Sequence, residues 1–370
     1  MASGGLEPEV ARSGKPAGLP GRVVRRISNV YWVAADAGPE FACQLRARLR
    51  KEQVEVRIGD RVGLAEVDAI NATAAIAEVL PRTRTLARPP IANVDQILVV
   101  FAAAQPDFSP PLLDRFLVLA GCSDIPAAIV INKADLVPAA TLAAIVEPYR
   151  AIGYQVAATS ARNGDVAELA ALLPGKVSVF AGPSGVGKSS LLNRFDPALA
   201  LKAADVSAKL GRGRHTTTSA SLYPVGGGFV ADTPGYSHLA FPALDPEGLA
   251  WLYPELAPHA SDCRLSDCLH DSEPDCAVKA RAAVNPERYQ SYLKFLHELV
   301  EQRRTSRARS QKVEAAVKTT GGPGGGKRLV RIDAEQRVDS RRTVKQRLAE
   351  LATQRAEGTL DEERLAGFED

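Results

Sequence analysis

The sequence predicts an α/β protein in which a parallel sheet with a phosphate-binding loop is flanked by an N-terminal β-barrel and a mostly helical C-terminal module. Three observations predict this architecture. Short strand-like runs fill residues 21–86, apolar strands alternate with helical patterns from residue 93 onward, and three cysteines cluster between 263 and 276. The 370 residues are enough for two or three domains with their own cores.

The composition is typical of a soluble globular protein, with 45% apolar and 24% charged residues. The net charge is only +3, so any binding of nucleic acid must rest on local basic patches. The longest strongly apolar run, 97–104, suits a buried strand and is too short to span a membrane. Residues 1–20 are rich in Gly, Pro and Ala, which predicts a disordered tail. They lack the apolar core of a signal peptide, so we expect a cytoplasmic protein. We also expect a monomer without a membrane partner.

Residues 21–86 predict a small barrel of the oligonucleotide-binding (OB) type. Turn signals separate five strand-like runs, at 21–27, 30–34, 41–45, 61–67 and 74–79. Residues 20–88 hold 12 Lys/Arg against 8 Asp/Glu. Because Arg46, Arg48 and Arg50 alternate, a strand would place them on one face, which is either a solvated surface or an RNA-backbone contact.

The segment 87–242 predicts a parallel sheet covered by helices on both faces. Apolar strands are expected at 96–102, 127–131, 155–158 and 176–180, with helices at 111–120, 140–152 and 166–173 between them.

A phosphate-binding loop is predicted at 182–189, where GPSGVGKS fits G-x-x-x-x-G-K-[ST] between a strand and the helix that opens at Ser190. Glycines allow backbone N–H groups to point at a phosphate chain, and the helix N-terminus favours negative charge. Lys188 would reach the β- and γ-phosphates, and Ser189 would ligate Mg²⁺. The alternative is a merely structural glycine-rich turn.

The loop after the second strand carries Asn132-Lys133-Ala134-Asp135, which predicts a guanine site. A fixed carboxylate at Asp135 accepts hydrogen bonds from guanine N1–H and its exocyclic amine, whereas adenine offers an acceptor at N1. Asn132 would tether neighbouring loops, and Lys133 would lie along the base plane. Ser160 and Ala161, after the next strand, would present backbone N–H groups to guanine O6.

Two further segments resemble nucleotide switches. RGRHTTT at 212–218 offers a threonine hydroxyl for Mg²⁺, and DTPG at 232–235 follows a strand at 228–231. Asp232 would hold Mg²⁺ through water, and the N–H of Gly235 would face the γ-phosphate. The predicted GTP contacts are Asn132, Lys133, Asp135, Ser160, Ala161, Gly182, Ser184, Gly185, Val186, Gly187, Lys188, Ser189, Ser190 and Gly235.

The order of these motifs predicts a circularly permuted P-loop GTPase domain, because base recognition precedes the phosphate loop and the switches follow it. The permutation places the cut just after 232–235, so the second switch leads directly into residues 243–300. Loss of the γ-phosphate would then pull directly on the C-terminal module.

This arrangement resembles the ribosome small-subunit-dependent GTPase A family over roughly residues 20–300. The resemblance includes Arg88-Pro89 and ANVDQ at 92–96 in addition to the motifs above. It implies GTP hydrolysis stimulated by the small ribosomal subunit, a role in late 30S maturation and contact with ribosomal RNA. An N-terminal OB-type barrel and a C-terminal zinc module also belong to this family.

The resemblance points to His215 as the residue that positions the attacking water. The position where many GTPases carry glutamine holds Tyr236, which cannot orient water in the same way. A surface-loop role for His215 and a competing role for His238 stay open. Thr217 is the preferred Mg²⁺ ligand, although the sequence does not separate it firmly from Thr216 and Thr218.

A structural zinc site is predicted in the C-terminal module, 243–302, from the spacing C-x4-C-x-H-x5-C. Cys263, Cys268, His270 and Cys276 would form a closed tetrahedral shell around one Zn²⁺. Free thiols or His259 as a ligand are the alternatives. Asn285-Pro286 predicts the start of a helix that ends the module, with a core-packing stripe from Tyr289 onward.

The last segment, 303–370, is expected to be a flexible tail. Residues 303–347 hold 14 Lys/Arg against 4 Asp/Glu, whereas 348–370 hold 2 against 7, and a glycine-rich linker lies at 321–326. The basic part is either a solvated tail or an arm on ribosomal RNA.

Three other functions compete with a ribosome-linked GTPase. A permuted GTPase of this kind could act on another RNA or ribonucleoprotein, and a non-catalytic adaptor could bind RNA and only hold the nucleotide. A kinase that uses ATP would share the phosphate loop, but Asp135 argues against it.

Overall fold

The structure is a computed structural model that describes residues 18–87, 89–195, 221–232, 241–242, 244–281, 284–315, 317–320 and 329–332. The chain divides into a unit of residues 1–299 and a unit of residues 300–370. No helix within the described ranges has the length and apolar character needed to cross a membrane.

The N-terminal region is a closed five-stranded barrel, as the alternation predicted. Its strands are β1 (Leu19–Ile27), β2 (Val30–Ala35), β3 (Glu40–Leu45), β4 (Arg61–Asp68) and β5 (Thr73–Val79). They close in the order β1-β2-β3-β5-β4, with β1 antiparallel to β4. Every second residue points inward, so Val23, Val33 and Phe41 are buried in the barrel core.

The expectation that Arg46, Arg48 and Arg50 share a strand face is wrong. Residues Ala47–Lys51 form the short helix α1, which buries Leu49 against the barrel. Side chains two residues apart on a helix do not face each other, so Arg48 does not share a face with Arg46 or Arg50. Arg46 pairs with Glu66 at 2.9 Å.

A six-stranded sheet follows the barrel along the chain, and a two-stranded ribbon of β6 (Thr85–Leu86) and β7 (Ile91–Ala92) precedes it. The sheet strands are β8 (Gln96–Ala102), β9 (Ala127–Asn132), β10 (Val156–Ala158), β11 (Val177–Ala181), β12 (Ser221–Val225) and β13 (Gly228–Asp232). Their order is β10-β9-β8-β11-β13-β12, with only β12 antiparallel to its neighbour. The strand before the phosphate loop, β11, therefore lies in the middle of the sheet.

Helices cover this sheet close to where they were predicted. They are α2 (Pro110–Gly121), α3 (Ala139–Ala151), α4 (Ala167–Ala170) and α5 (Lys188–Phe195), with a 3₁₀ turn at Ala134–Leu136. Only α4 is much shorter than the expected 166–173. After Ala170 the chain continues in turns, because the N–H of Leu172 donates to the Leu169 carbonyl and that of Leu173 to the Ala170 carbonyl.

The barrel packs against the edge of the sheet formed by β12 and β13. Val24 of the barrel shares one buried core with Leu222 and Ala231, and Trp32 lies against the same core. The Arg22 guanidinium lies 5.6 Å from the ring centroid of Phe229. The barrel is thus joined to the strand that ends at Asp232.

The C-terminal module is mostly helical, as predicted. It contains a 3₁₀ helix (Pro246–Leu252), α6 (Ala257–Ala260), α7 (Ala277–Arg281) and α8 (Pro286–Ala315). Asn285 caps α8, because its Oδ1 accepts the N–H of Glu287 at 2.8 Å. The stripe on α8 is core packing, since Tyr292, Leu296 and Leu299 are buried.

The described part of the tail region contains regular structure. Helix α8 continues beyond residue 302 to Ala315, and β14 (Val317–Thr320) pairs antiparallel with β15 (Leu329–Ile332). The glycine-rich segment 321–326 falls between these two strands in the sequence. It lies outside the described residues, as does 333–370.

Candidate nucleotide and metal sites

The phosphate loop runs from β11 to α5, as its motif predicted. Gly187 has φ of +95°, and a Cβ at this position would clash with Nδ2 of Asn132, so only glycine fits here. The Lys188 ammonium donates to the carbonyl oxygens of Gly182 at 2.8 Å and Pro183 at 2.7 Å. This lysine therefore lies across the loop that would hold the phosphates.

Asn132 joins the phosphate loop to the loop after β10. Its Nδ2 donates to the carbonyl oxygen of Val186 at 2.8 Å, and its Oδ1 accepts the N–H of Ala161 at 3.2 Å and the hydroxyl of Thr159 at 3.3 Å. Asn132 is almost fully buried. The tethering expected from the sequence is thus present in the hydrogen bonds.

Lys133 lies between two other loops. Its Nζ donates to the carbonyl oxygen of Gly185 at 2.8 Å and to the carbonyl oxygen of Gln105. The backbone of Lys133 is left-handed, with φ of +59°, which is uncommon outside glycine and typical of functional loops. This conformation ends β9 and starts the 3₁₀ turn that carries Asp135.

The Asp135 carboxylate is oriented by a neighbouring hydroxyl. Ser160 Oγ donates to Asp135 Oδ1 at 2.6 Å and accepts the N–H of Asn163 at 3.1 Å. This chain of hydrogen bonds fixes a carboxylate at the carboxyl edge of the sheet, where ligands bind in α/β folds. The N–H of Ala161, expected to face guanine O6, is instead engaged by Asn132.

Two adjacent cavities mark the space for a nucleotide. One, of about 330 Å³, is lined by Gln105, Asn132, Lys133, Asp135, Leu136, Ala161, Arg162, Gly187 and Ser190. The other, of about 350 Å³, is lined by Lys133, Ser184, Gly185, Gly187, Lys188, Ser189 and Ser190. The cavities share Lys133, Gly187 and Ser190, so a base in the first and a phosphate chain in the second would be continuous.

Sequence reasoning missed three residues of the base cavity. Leu136 and Arg162 directly follow Asp135 and Ala161, so extending each motif by one residue would have found them. Gln105 lies in the loop after β8, and no motif marks it. Its position next to Lys133 follows only from the sheet order, which places β8 beside β9 and β11.

Several predicted residues lie outside the described part of the chain. These are His215, Thr216, Thr217, Thr218, Gly235 and His238. Asp232 ends β13, and its backbone is in register with Phe180, two residues before the phosphate loop. Three assignments therefore stay predictions: the first switch, His215 as the water-positioning residue and Thr217 as a Mg²⁺ ligand.

The four predicted metal ligands come together in the C-terminal module. The ligand atoms of Cys263, Cys268, His270 and Cys276 all lie within 4.8 Å of one another. Cys263 Sγ and Cys276 Sγ are 3.9 Å apart, and each lies 3.4 Å from His270 Nδ1. A tetrahedral zinc ion would require about 3.8 Å between two sulfurs and about 3.5 Å between sulfur and nitrogen. The donor set fits one closed metal site.

Hydrogen bonds from α8 and from within the loop support this cluster. The Tyr289 hydroxyl donates to the His270 carbonyl at 2.5 Å, and the Tyr292 hydroxyl donates to the Leu269 carbonyl at 2.7 Å. Burial lowers the pKa of His270, which favours the neutral imidazole that a metal needs. His259 does not belong to the cluster.

Comparisons with known proteins agree with this architecture. The family model described as RsgA GTPase matches residues 79–242. The small ribosomal subunit biogenesis GTPase RsgA of Geobacillus thermodenitrificans is 43% identical over 290 residues, covering 76% of this chain and 98% of that protein. The protein of the same name from Moorella thermoacetica is 44% identical over 292 residues, covering 78% of this chain and 99% of that protein.

A solved structure extends the similarity to the fold. The crystal structure of YloQ, described as a circularly permuted GTPase, superposes with a TM-score of 0.65 at 35% identity. The match covers 80% of this chain and 99% of YloQ. The predicted fold class, a permuted GTPase domain between a barrel and a cysteine-containing module, is confirmed.

Proposed function

Because the chain belongs to the RsgA GTPase family, we propose that it hydrolyses GTP in the joined cavities as a factor in late maturation of the small ribosomal subunit. One observation supports the guanine specificity most directly. Asp135, held by Ser160, lies in the same cavity as Asn132 and Lys133, which both hydrogen-bond to the phosphate loop.

Guanine selection follows from the chemistry of that carboxylate. Asp135 accepts from N1–H and the exocyclic amine of guanine, and adenine would leave the carboxylate without those donors. Lys133 flanks the base plane between Gln105 and Gly185, and Leu136 contributes apolar surface to the cavity.

The phosphate chain binds along the second cavity. Backbone N–H groups of the loop and the N-terminus of α5 provide positive partial charge, and Lys188 exchanges its loop carbonyl partners for phosphate oxygens. Ser189, Thr217 and Asp232 would hold Mg²⁺, which neutralises charge on the phosphates. The N–H of Gly235 faces the γ-phosphate, and His215 orients the attacking water as a hydrogen-bond acceptor.

The C-terminal cluster would hold one structural Zn²⁺. Its four protein ligands leave no open position for substrate, so its role is to fold the segment around 263–276. The second switch leads into this module along the chain, so a change at the γ-phosphate is passed on to it. The barrel and the C-terminal module would contact ribosomal RNA, and the protein works as a cytoplasmic monomer.

The stimulation of GTP hydrolysis tests this proposal. The rate is measured with isolated small subunits, isolated large subunits and free ribosomal RNA. We expect strong stimulation by small subunits alone, and we expect the His215→Ala variant to bind GTP but lose most of the stimulated turnover. Equal stimulation by all three additions would contradict the assignment to the small subunit, and wild-type turnover in the variant would remove His215 from the mechanism.

A further inference from the structure

Helices α2 and α8 are joined by ion pairs that start from two consecutive residues of α2. The Arg288 guanidinium of α8 contacts the Asp114 carboxylate, and Arg115 of α2 pairs with Glu298 of α8. We call these four residues, Asp114, Arg115, Arg288 and Glu298, the α2–α8 lock. It connects the sheet domain, which carries the nucleotide cavities, to the helix that supports the metal cluster.

The Asp114–Arg288 pair is the inner half of the lock, and it is buried together with a third charged group, Glu255. The side chains of Asp114, Arg288 and Glu255 are 0%, 4% and 5% exposed, and Arg288 Nε donates to Glu255 Oε1 at 2.6 Å. Burial raises the pKa of Asp114, although the neighbouring Arg288 opposes the shift. Buried ion pairs often add little stability over apolar side chains of similar size, so we interpret these charges as setting one geometry between the two helices.

The Arg115–Glu298 pair is the outer half of the lock, and Arg115 contacts Phe241, just after the second switch. The Arg115 guanidinium lies 4.6 Å from the ring centroid of Phe241 and 4.8 Å from that of Phe295 on α8. The two rings are 5.4 Å apart in an edge-to-face arrangement. Arg115 therefore holds α2, α8 and the start of the C-terminal module against one another.

A direct path of contacts runs from α2 to the nucleotide cavities. The loop 103–109 connects β8 to α2, and the Phe101 ring packs edge-on against Phe108 of this loop and Phe116 of α2, at 6.2 Å and 5.7 Å. In the same loop, the carbonyl oxygen of Gln105 accepts the hydrogen bond of Lys133. The loop that leads into α2 therefore contributes an oxygen that helps to position a base-flanking lysine.

We propose that Arg115 and Arg288 are positioning residues for the guanine nucleotide, because they hold α2, and with it the loop 103–109, in the place that Lys133 requires. This inference rests on the nucleotide site proposed above. By thermodynamic linkage, any partner that displaces α8 from α2 weakens nucleotide binding, and bound nucleotide in turn favours the docked position of α8.

The test replaces the outer arginine in the full-length protein. Arg115→Met keeps most of the side-chain bulk and removes its charge. We expect the KM for GTP and the Kd for GDP to rise about fivefold, which corresponds to the lower end of typical coupling between sites. The basal kcat should stay within about twofold, because the lock acts on binding rather than on the reacting atoms. Arg115→Lys should restore part of the affinity.

The matched control is Arg281→Met. Arg281 pairs with Asp262 at 2.9 Å on the surface of the same module, and neither residue belongs to the α2–α8 lock. Its KM for GTP and its Kd for GDP should equal those of the wild type. If Arg115→Met does not fold, as judged by thermal unfolding, Glu298→Gln removes the same ion pair at a more exposed position.

The outcomes separate the two proposals. A wild-type protein that does not bind guanine nucleotides would overturn the nucleotide site itself. A wild-type protein that binds them, together with lock variants of unchanged KM and Kd, would overturn only the positioning role. A loss of kcat at unchanged KM would also contradict it.

Discussion

The nucleotide cavities and the metal cluster are assembled in opposite ways. The cavities collect residues from Gln105 to Ser190, and the hydrogen bond from Asn132 to Val186 spans 54 positions of the chain. The metal ligands all come from 263–276. The first site is a product of sheet order, whereas the second is a product of local spacing.

This difference teaches how each site depends on its ligand. The cavities lie on a sheet whose strand β8 is buried along its whole length, so the sheet domain has a core without nucleotide. The segment around the cluster has short helices, and Leu265 is 44% exposed. A metal bound at the cluster would stabilise such a region. We therefore expect loss of the metal to unfold the segment around the cluster, whereas loss of nucleotide should leave the sheet domain folded.

The largest effect is expected from breaking the metal shell. Cys268→Ser should reduce bound zinc from one ion per chain toward none, because structural zinc contributes roughly 10 kcal/mol or more to local folding. Metal analysis and protease sensitivity of 257–281 measure this. Cys122→Ser, at a half-buried thiol outside the cluster, should keep its zinc. Full metal content in Cys268→Ser would remove that ligand from the site.

The next effect tests whether the nucleotide site can be emptied without unfolding. Asp135→Asn should weaken GTP binding by about 3 kcal/mol, or roughly two orders of magnitude, because two charge-assisted hydrogen bonds to guanine are lost. The melting temperature without nucleotide should hardly change. The new amide can donate to the 2-carbonyl of xanthine, so binding of xanthosine triphosphate should improve. Unchanged GTP affinity would place the base elsewhere.

A smaller effect separates backbone strain from contact at the phosphate loop. Gly187→Ala should destabilise the fold by about 2 kcal/mol and reduce GTP affinity, because its Cβ meets the Asn132 amide. Gly153 has φ of +96° and no atoms within 4 Å of an added Cβ. Gly153→Ala should therefore cost about 1 kcal/mol through backbone conformation alone and leave nucleotide binding intact. Calorimetry measures the stability of both variants, and nucleotide titration measures their affinity. Equal losses of stability and affinity in the two variants would mean that the contact with Asn132 is unimportant.

The smallest effect concerns the support of the metal loop by α8. Tyr292→Phe removes one hydrogen bond to the Leu269 carbonyl and should lower stability by about 1 kcal/mol. Zinc content should stay complete, because the four ligands are unchanged. Chemical denaturation with parallel metal analysis checks both statements. Loss of zinc in this variant would show that the loop is not self-sufficient even with all its ligands.

Much of the architecture could be predicted from the chain alone. The strand at 96–102 was predicted to the residue, and the barrel strands to within one or two residues, because their apolar patterns are long and regular. The family resemblance drawn from the motifs is confirmed by the relatives and the solved structure. The run of Arg46, Arg48 and Arg50 misled, because Leu49 between them is an anchor for a helical turn.

The sequence by itself determined the chemistry, because glycine spacing, a carboxylate after an apolar strand and a C-x4-C-x-H-x5-C pattern each act within a few residues. Only the tertiary structure decided which distant groups complete each site. Gln105 reaches Lys133, and Arg288 reaches Asp114 across 174 positions, through strand order and helix packing. Such contacts depend on how whole elements pack, and local patterns carry no record of them.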